Sequence, residues 1–132
     1  MSRPVTVFYV IDKLPRAGTQ RHLAQVALGL DRRRYRPVVC ALMDGGPLAD
    51  QLREAGVPVH VLGMRNVSGW RFPWAVLRLA RLIRRERPAV VHTYLVSANI
   101  VGSVAARLAG VPAVVTSRRD LGEDLTPLAR RL

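Results

Sequence analysis

Five short, valine-rich segments of this sequence are apolar at nearly every position, and longer segments with helical spacing separate them. The short segments are residues 5–11, 37–43, 58–62, 89–92 and 113–117. Since they do not alternate between apolar and polar residues, they are typical of strands buried on both faces, as in a parallel sheet covered by helices. The longer segments have apolar residues three and four positions apart, as amphipathic helices do, and are residues 19–30, 47–55, 73–87 and 96–109.

Strands that alternate with helices predict a single α/β domain, here spanning residues 1–132. Right-handed crossovers place the five strands of such a doubly wound parallel sheet in the order 3-2-1-4-5, flanked by helices. In this order the chain reverses its direction across the sheet between strands 1 and 4, and ligands bind outside the carboxyl ends of strands at such a point. We therefore expect the residues just after Ile11 and just after Val91 to line a binding site.

The charge of the chain favours anionic partners, because its 21 basic and 9 acidic residues give a net charge of +12. No helix-turn-helix, zinc-finger or aromatic RNA-binding pattern organises the arginines, so we expect no nucleic acid partner. Trp70 and Trp74 precede an arginine-rich helix, which is typical of a peripheral anchor on an anionic membrane surface. The alternative is that Leu77, Ala80 and Leu82 of this helix pack on the sheet while its arginines face water.

Cysteine content and the lengths of the apolar runs restrict the class of protein further. Cys40 is the single cysteine, so the sequence has no disulfide framework or cysteine-based metal site. No apolar run approaches the roughly 18 residues that cross a bilayer, and the first residues lack a signal-peptide cleavage site. We expect a cytoplasmic protein, attached peripherally to the inner face of the membrane if the tryptophan segment is an anchor.

The loop after strand 1 leads into a helix at Gly18, Thr19 and Gln20. Bare N–H groups at such a helix N-terminus favour a phosphate or a sugar hydroxyl. The loop lacks the glycines that the dinucleotide-binding motif and the P-loop require. The alternative interpretation is a simple turn before the helix.

Polar residues also follow strand 4, where His92 and Tyr94 precede Asn99 of the next helix. We predict that His92 is catalytic and that Tyr94 and Asn99 bind substrate, because an imidazole can donate a hydrogen bond to a sugar hydroxyl or a phosphoryl oxygen. The alternative is a packing histidine that caps the helix. His22, on a helix surface, and His60, inside strand 3, are weaker candidates.

Arg118, Arg119 and Asp120 follow strand 5. Two arginines beside a carboxylate can clamp an anionic substrate. They can equally form a surface ion pair in a solvated loop.

Taken together, the motifs around these residues resemble family 4 glycosyltransferases of the GT-B fold. The motifs are AGTQR at 17–21, DGGPL at 44–48, RPAVVHTY at 87–94, Gly102, AARLAGVP at 105–112 and SRRD at 117–120. They occur in the family's order and spacing over essentially the whole chain. The resemblance implies a Rossmann-like N-terminal domain that contributes the acceptor side of the substrate cleft.

The resemblance also implies the reaction and the roles of the candidate residues. The reaction would be retaining transfer of a sugar from a nucleotide diphosphate sugar to an acceptor, without a metal or a cofactor, in cell-envelope polysaccharide or glycolipid biosynthesis. The residues that open the first helix would approach the acceptor or donor phosphate. Those after strand 4 would line the sugar cleft, and those after strand 5 would complete its rim.

In this family a second Rossmann-like domain supplies the donor pocket. The resemblance therefore implies that the domain is incomplete at its C-terminus and acts with a donor-binding domain or partner chain on a sugar or lipid-phosphate acceptor. We expect no turnover by this chain alone. Two alternatives remain: a non-catalytic acceptor- or membrane-binding subunit of a split glycosyltransferase, and a nucleotide-sugar epimerase of the same fold, which the loop after strand 1 disfavours.

Overall fold

Strands alternate with helices along the chain in the computed structural model, which describes residues 4–13, 18–65 and 69–117. The elements are β1 (Val5–Lys13), α1 (Gly18–Gly29), β2 (Tyr35–Asp44), α2 (Pro47–Glu54), β3 (Val59–Val61), α3 (Arg71–Glu86), β4 (Val90–Tyr94), α4 (Val96–Leu108) and β5 (Ala113–Ser117). Each predicted strand and helix is confirmed, and its ends differ from the prediction by at most two residues.

The strands form one parallel sheet in the order β3-β2-β1-β4-β5, which confirms the predicted order. β1 lies at the centre, where Tyr9 is paired with Val39 of β2 on one side and with His92 of β4 on the other. The carboxyl ends of β1 and β4 are therefore neighbours. The helices that follow them, α1 and α4, cover opposite faces of the sheet, and it is between two such strand ends that doubly wound sheets form their ligand-binding crevice.

Helices cover both faces of the sheet, and side chains of β1 pack alternately against each layer. Phe8 and Val10 pack with α3 and α4, whereas Tyr9 and Ile11 pack with α1 and α2. All four are at most 2% exposed, as expected for the central strand of a covered parallel sheet. Cys40 is fully buried in the α3–α4 layer, and burial raises the pKa of its thiol to about 12, so the thiol stays protonated.

Glycines end α2 and α4 at the positions that the sequence indicates. Gly56 has a φ of 86° and Gly110 a φ of 77°, which a glycine adopts without strain. After α2, the N–H of Val57 donates to the carbonyl of Leu52 at 2.9 Å, and the N–H of Gly56 donates to that of Arg53 at 3.0 Å. An equivalent pair of hydrogen bonds ends α4. Each pair satisfies carbonyls at the helix end and turns the chain into the next strand.

The alternative interpretation, in which Leu77, Ala80 and Leu82 of α3 pack on the sheet, is right for two of these three residues. Ala80 and Leu82 are buried, but Leu77 is exposed. Leu79 and Ile83 fill the side of the helix that faces the sheet. Leu77 lies outside this side of the helix, because the part of the α3 surface that contacts the core is narrower than the apolar stripe in the sequence of α3.

α4 lies close against β4 at Gly102. A Cβ atom on Gly102 would lie 2.5 Å from Cγ2 of Thr93, well inside van der Waals contact. Thr93 is buried, and its hydroxyl donates a hydrogen bond to Oδ1 of Asn99 at 2.7 Å. A rotation of the Thr93 side chain that moved its methyl group away would also displace this hydroxyl from Asn99. Only glycine therefore fits at position 102 without a loss of stability.

We predict that Gly102→Ala lowers the free energy of unfolding by about 1–3 kcal/mol, because overpacking outweighs the roughly 1 kcal/mol by which alanine favours a helix over glycine. Gly29→Ala is the matched control, since Gly29 is also helical and a Cβ atom there has no neighbour within 4 Å. Urea denaturation followed by circular dichroism measures both variants. Equal stability of the two would contradict a tight contact at Gly102.

Candidate functional site

Aromatic rings cluster at the carboxyl ends of β1 and β4, on the face of the sheet that α1 covers. The rings of His92 and Tyr94 are stacked, with 4.4 Å between their centroids and 23° between their planes. The ring of Tyr9, the neighbour of His92 across the β1–β4 pair, lies 5.7 Å from the imidazole. Both tyrosines are buried, whereas His92 is half-buried. His92 therefore combines a packed environment with access from solvent.

α1 adds a second histidine to this cluster. His22 lies one turn into α1, and its ring centroid is 6.1 Å from that of Tyr94. From the sequence, His22 is a weaker candidate for a site residue than His92, because helical periodicity does not show which neighbour a partly exposed side chain contacts. His22 lies four residues, about one helical turn, after Gly18, where the helix that follows β1 begins. This spacing is the sequence signal that places His22 near the carboxyl end of β1.

Burial keeps the imidazole of His92 neutral. It lowers the pKa of His92 to about 4, and the nearby His22 lowers it further in the same direction. Burial, reinforced by Tyr94, raises the pKa of Tyr9 to about 12. At neutral pH the His92–Tyr9 pair thus carries no charge, and His92 offers one N–H donor and one nitrogen acceptor.

Asp12 joins the end of β1 to the start of α4. Its Oδ1 accepts a hydrogen bond from the backbone N–H of Ala98 at 2.9 Å. Leu95, the residue before α4, makes no side-chain capping bond, so a carboxylate from another strand serves as the cap. Burial raises the pKa of Asp12, although the Ala98 N–H and the charge of Lys13 act in the opposite direction. Asp12 directly follows Ile11, where the sequence predicts that residues line the site, but nothing in the sequence indicated that its side chain caps α4.

The backbone at Leu95 is strained. Its φ of 75° and ψ of 164° lie in a region that glycine occupies almost alone, at a cost of about 1–3 kcal/mol for other residues. Leu95 is the turn between β4 and α4, directly after Tyr94. Such strain is typical of functional sites, where the surrounding contacts hold an unfavourable conformation in place.

The structure brings Asn99 to the same edge of the sheet. Asn99 is half-buried on α4, and its Oδ1 accepts the hydrogen bond from Thr93 of β4. This bond holds the carboxamide of Asn99 close to the carboxyl end of β4. Its predicted contact with substrate stays a prediction.

The predicted residues of α1 differ in their accessibility. Gly18 is exposed and begins the helix, and a Cβ atom there would meet nothing within 4 Å. Thr19 is half-buried, and Gln20 is buried at 6% exposure. Because α1 follows β1 and returns across the sheet, its N-terminus lies at the carboxyl edge, near the ring cluster. Gly18 and Thr19 present backbone to this edge, whereas the side chain of Gln20 faces the interior.

Arg118, Arg119 and Asp120 lie outside the described residues. Within the described ranges, no group of three or more His, Cys, Asp and Glu side chains is placed to hold a metal ion. Among the helices of those ranges, none has the length and apolar character that a membrane span needs.

We predict that the imidazole of His92 titrates near pH 4. The unfolded chain, with an ordinary histidine pKa of about 6.5, binds this proton more readily than the folded chain. His92 therefore makes the folded state less stable as the pH falls from about 6.5 to 4, and His92→Gln removes this dependence. NMR titration of the imidazole and denaturation of both proteins across this range measure the effect. A His92 resonance that titrates near 6.5 would rule out the proposed burial.

We predict that Asp12→Ala lowers the free energy of unfolding by about 1 kcal/mol, because α4 loses its capping acceptor. Asp12→Asn keeps an acceptor oxygen and should recover most of the loss. Asp50→Ala is the control for the charge change. Asp50 is exposed on α2, and its ion pair with Arg53 is long, at 3.9 Å. Chemical denaturation that finds the two alanine variants equal would show that the Asp12 bond does not stabilise α4.

Comparison with known proteins relates this geometry to glycosyltransferases. A family model described as the glycosyl transferase 4-like domain matches residues 17–132. An Escherichia coli protein, UDP-Gal:alpha-D-GlcNAc-diphosphoundecaprenol alpha-1,3-galactosyltransferase, is 37% identical over 73 residues, which make up 54% of this chain and 19% of the relative.

Solved structures share the fold. Anabaena Alr3699/HepE, in complex with UDP and glucose, has a TM-score of 0.63 and 16% identity over 81% of this chain and 28% of its own. Acinetobacter baumannii MurG has a TM-score of 0.63 and 18% identity, over 96% of this chain and 39% of its own. A glycosyltransferase from Rickettsia africae has a TM-score of 0.62 and 15% identity, over 98% and 35%.

The chain thus spans less than two fifths of the length of each of these proteins. The family match nevertheless extends over most of the sequence, from the loop after β1 to residue 132. The chain therefore belongs to the glycosyl transferase 4-like domain family.

Proposed function

We propose that this domain forms the acceptor side of the substrate cleft in a retaining glycosyltransferase that uses a nucleotide diphosphate sugar as donor. The observation that carries the proposal is the stacked His92–Tyr94 pair at the end of β4, beside the end of β1, in a chain of this family. Ligands of doubly wound sheets bind at this position. Family membership favours a transferase over the epimerase considered from the sequence.

The acceptor that we propose is a sugar, free or linked through phosphate to a lipid. The name of the E. coli relative gives α-D-GlcNAc-diphosphoundecaprenol as the acceptor of that protein, and this supports a lipid-linked sugar here. The net charge of +12 attracts an acceptor that carries phosphate groups. The work of the enzyme would then be cell-envelope polysaccharide or glycolipid biosynthesis, on the cytoplasmic face of an anionic membrane to which the domain attaches peripherally.

His92 is the catalytic residue of this proposal. Because its imidazole is neutral above about pH 4, it can donate a hydrogen bond to a phosphoryl oxygen or exchange one with a sugar hydroxyl. Tyr94 stacks on the imidazole and fixes the plane of the ring. Asp12 acts as a positioning residue, since it holds α4 against the strand ends that carry the site, and Asn99, held by Thr93, would bind the substrate beside His92.

The start of α1 would receive a phosphate of the acceptor or the donor. The N-terminus of a helix presents backbone N–H groups to an anion, and none of the described residues lies within 4 Å of a Cβ atom placed on Gly18 at this end of α1. Thr19 contributes its backbone from the same turn, and the buried Gln20 supports the turn from the side of the core. Arg118, Arg119 and Asp120 complete the rim of the cleft in this proposal.

A second domain would hold the donor nucleotide, with no metal or cofactor bound to the domain described here. The lengths of the relatives support this division, since the chain spans 28% to 39% of the solved structures that share its fold. The donor domain would belong either to a continuation of this polypeptide or to a partner chain, as in a split transferase. The DNA that follows the codon of Leu132 distinguishes these two arrangements.

We predict that the 132-residue chain binds a water-soluble analogue of GlcNAc-diphospholipid more tightly than UDP-galactose and transfers no sugar alone. NMR titration should shift the resonances of His92, Tyr94 and Gly18 with the acceptor analogue. His92→Gln should weaken this binding by about fivefold to 100-fold, as expected for the loss of one hydrogen bond in a partly buried site.

His60→Gln is the matched control, because the His60 ring binds Glu86 at 3.2 Å in a different part of the sheet. It should leave acceptor binding unchanged. Shifts of His92 with UDP-galactose alone would place the donor on this domain and contradict the proposal. Sugar transfer by the isolated chain would contradict the division of the site between two domains.

A further inference from the structure

The outer side of α3 carries large apolar side chains that the core does not use. Trp74 is 62% and Leu77 is 55% exposed, and Trp70, in the turn before the helix, is 73% exposed. Intervals of four and three residues place the three on one side of the helix. The core contacts of α3 come from other positions, such as Leu79 and Ile83. This apolar area therefore serves no purpose in the packing of the described residues.

Arginines surround this apolar stripe. The exposed arginines of α3 are Arg71, Arg78, Arg81, Arg84 and Arg85. Glu86 is the acidic residue of the helix, and it already binds Arg36 of β2 at 2.8 Å and His60 of β3 at 3.2 Å. Burial raises the pKa of Glu86, but these two partners lower it overall, so Glu86 stays ionised in this cluster. In the described part of the chain, no carboxylate pairs with the arginines of α3, whose charge remains available to an anionic partner.

α4 extends the apolar stripe. Leu108 of α4 is exposed and lines one shallow groove together with Trp74 and Leu77. Arg84 bridges the two helices by donating to the carbonyl of Leu108 at 3.2 Å. We call the combined area the tryptophan–arginine surface, and it consists of Trp70, Trp74, Leu77, Arg78, Arg81, Arg84 and Leu108.

The direction of α3 relates this surface to the candidate site. α3 leads into β4 and runs antiparallel to the strands, so its first turn lies at the carboxyl edge of the sheet. Trp70 and Trp74 are therefore at the edge that carries His92, and the remaining arginines extend away from it. A flat partner bound to this surface would therefore approach the same edge of the sheet from the face opposite to the ring cluster.

We propose that the tryptophan–arginine surface docks on an anionic phospholipid bilayer. Tryptophan side chains favour the interface between headgroups and acyl chains, and arginine binds lipid phosphates through paired N–H donors. A protein partner would need to match both the three arginines of this surface and two neighbouring indoles, whereas an anionic bilayer offers phosphates and an apolar layer everywhere. The choice of a bilayer rests on the proposed lipid-linked acceptor, which docking in this orientation would bring to the His92 edge.

Tryptophan fluorescence tests this proposal directly, because Trp70 and Trp74 are the two tryptophans of the whole sequence. The 132-residue chain is mixed with vesicles of phosphatidylcholine, with and without phosphatidylglycerol. We expect co-sedimentation with the anionic vesicles, a blue shift of the emission, and quenching by brominated acyl chains. Raising the salt concentration should weaken the initial binding, because it screens the arginine charges.

Paired variants separate this surface from the net charge. Arg78→Gln combined with Arg81→Gln should weaken vesicle binding about 20-fold, at roughly fivefold for each arginine near an anionic surface. Arg33→Gln combined with Arg34→Gln removes the same charge from the exposed turn before β2 and should have a much smaller effect. Trp74→Ser combined with Leu77→Gln should weaken binding at unchanged charge.

Three results would overturn the proposal: no binding to anionic vesicles, equal losses in the two arginine pairs, or binding without quenching by brominated lipid. The last would indicate adsorption by charge alone. Circular dichroism of each variant confirms that it is folded. The vesicle measurement contains no sugar donor or acceptor, so a lack of vesicle binding would not contradict the proposed transferase site. Likewise, a lack of acceptor binding would not contradict docking on the bilayer.

Discussion

The pairing of β1 with both β2 and β4 is the interaction on which the rest of this structure depends. It places an apolar strand at the centre of the sheet, where Phe8, Val10 and Ile11 have no exposure at all. Because β1 is paired on both sides, the sheet extends from it in two directions. α1 and α4 then leave neighbouring strand ends on opposite faces, and the crevice between them follows from the topology alone.

Groups at this crevice are held by contacts that stability alone does not require. A neutral imidazole is maintained by burial among two tyrosines, and a carboxylate from β1 caps a helix that follows β4. Leu95 keeps a backbone conformation that its side chain disfavours. The lowered pKa of His92 and the backbone strain at Leu95 occur together here, a combination that is typical of binding sites.

Two surfaces lie toward the same edge of the sheet, one on each face, and together they give the proposed function a physical arrangement. The His92 crevice suits a polar sugar or phosphate, and the tryptophan–arginine surface suits the membrane in which a lipid-linked acceptor is held. α3 connects them, because one side of this helix builds the core while the other carries the arginines. In this proposal, docking on the membrane brings the domain to a substrate that is anchored in lipid.

The sequence by itself determined the elements and their order, and it predicted the edge of the sheet at which we propose the site. Uninterrupted apolar runs such as residues 37–43 are compatible only with strands covered on both faces, and glycines such as Gly56 end helices because they adopt a positive φ without strain. Only the tertiary structure brought Asp12 to Ala98, 86 positions away, placed His22 beside Tyr94, and left Leu77 exposed. Periodicity defines which residues share a side of a helix, but the neighbours of that side depend on how the helices pack.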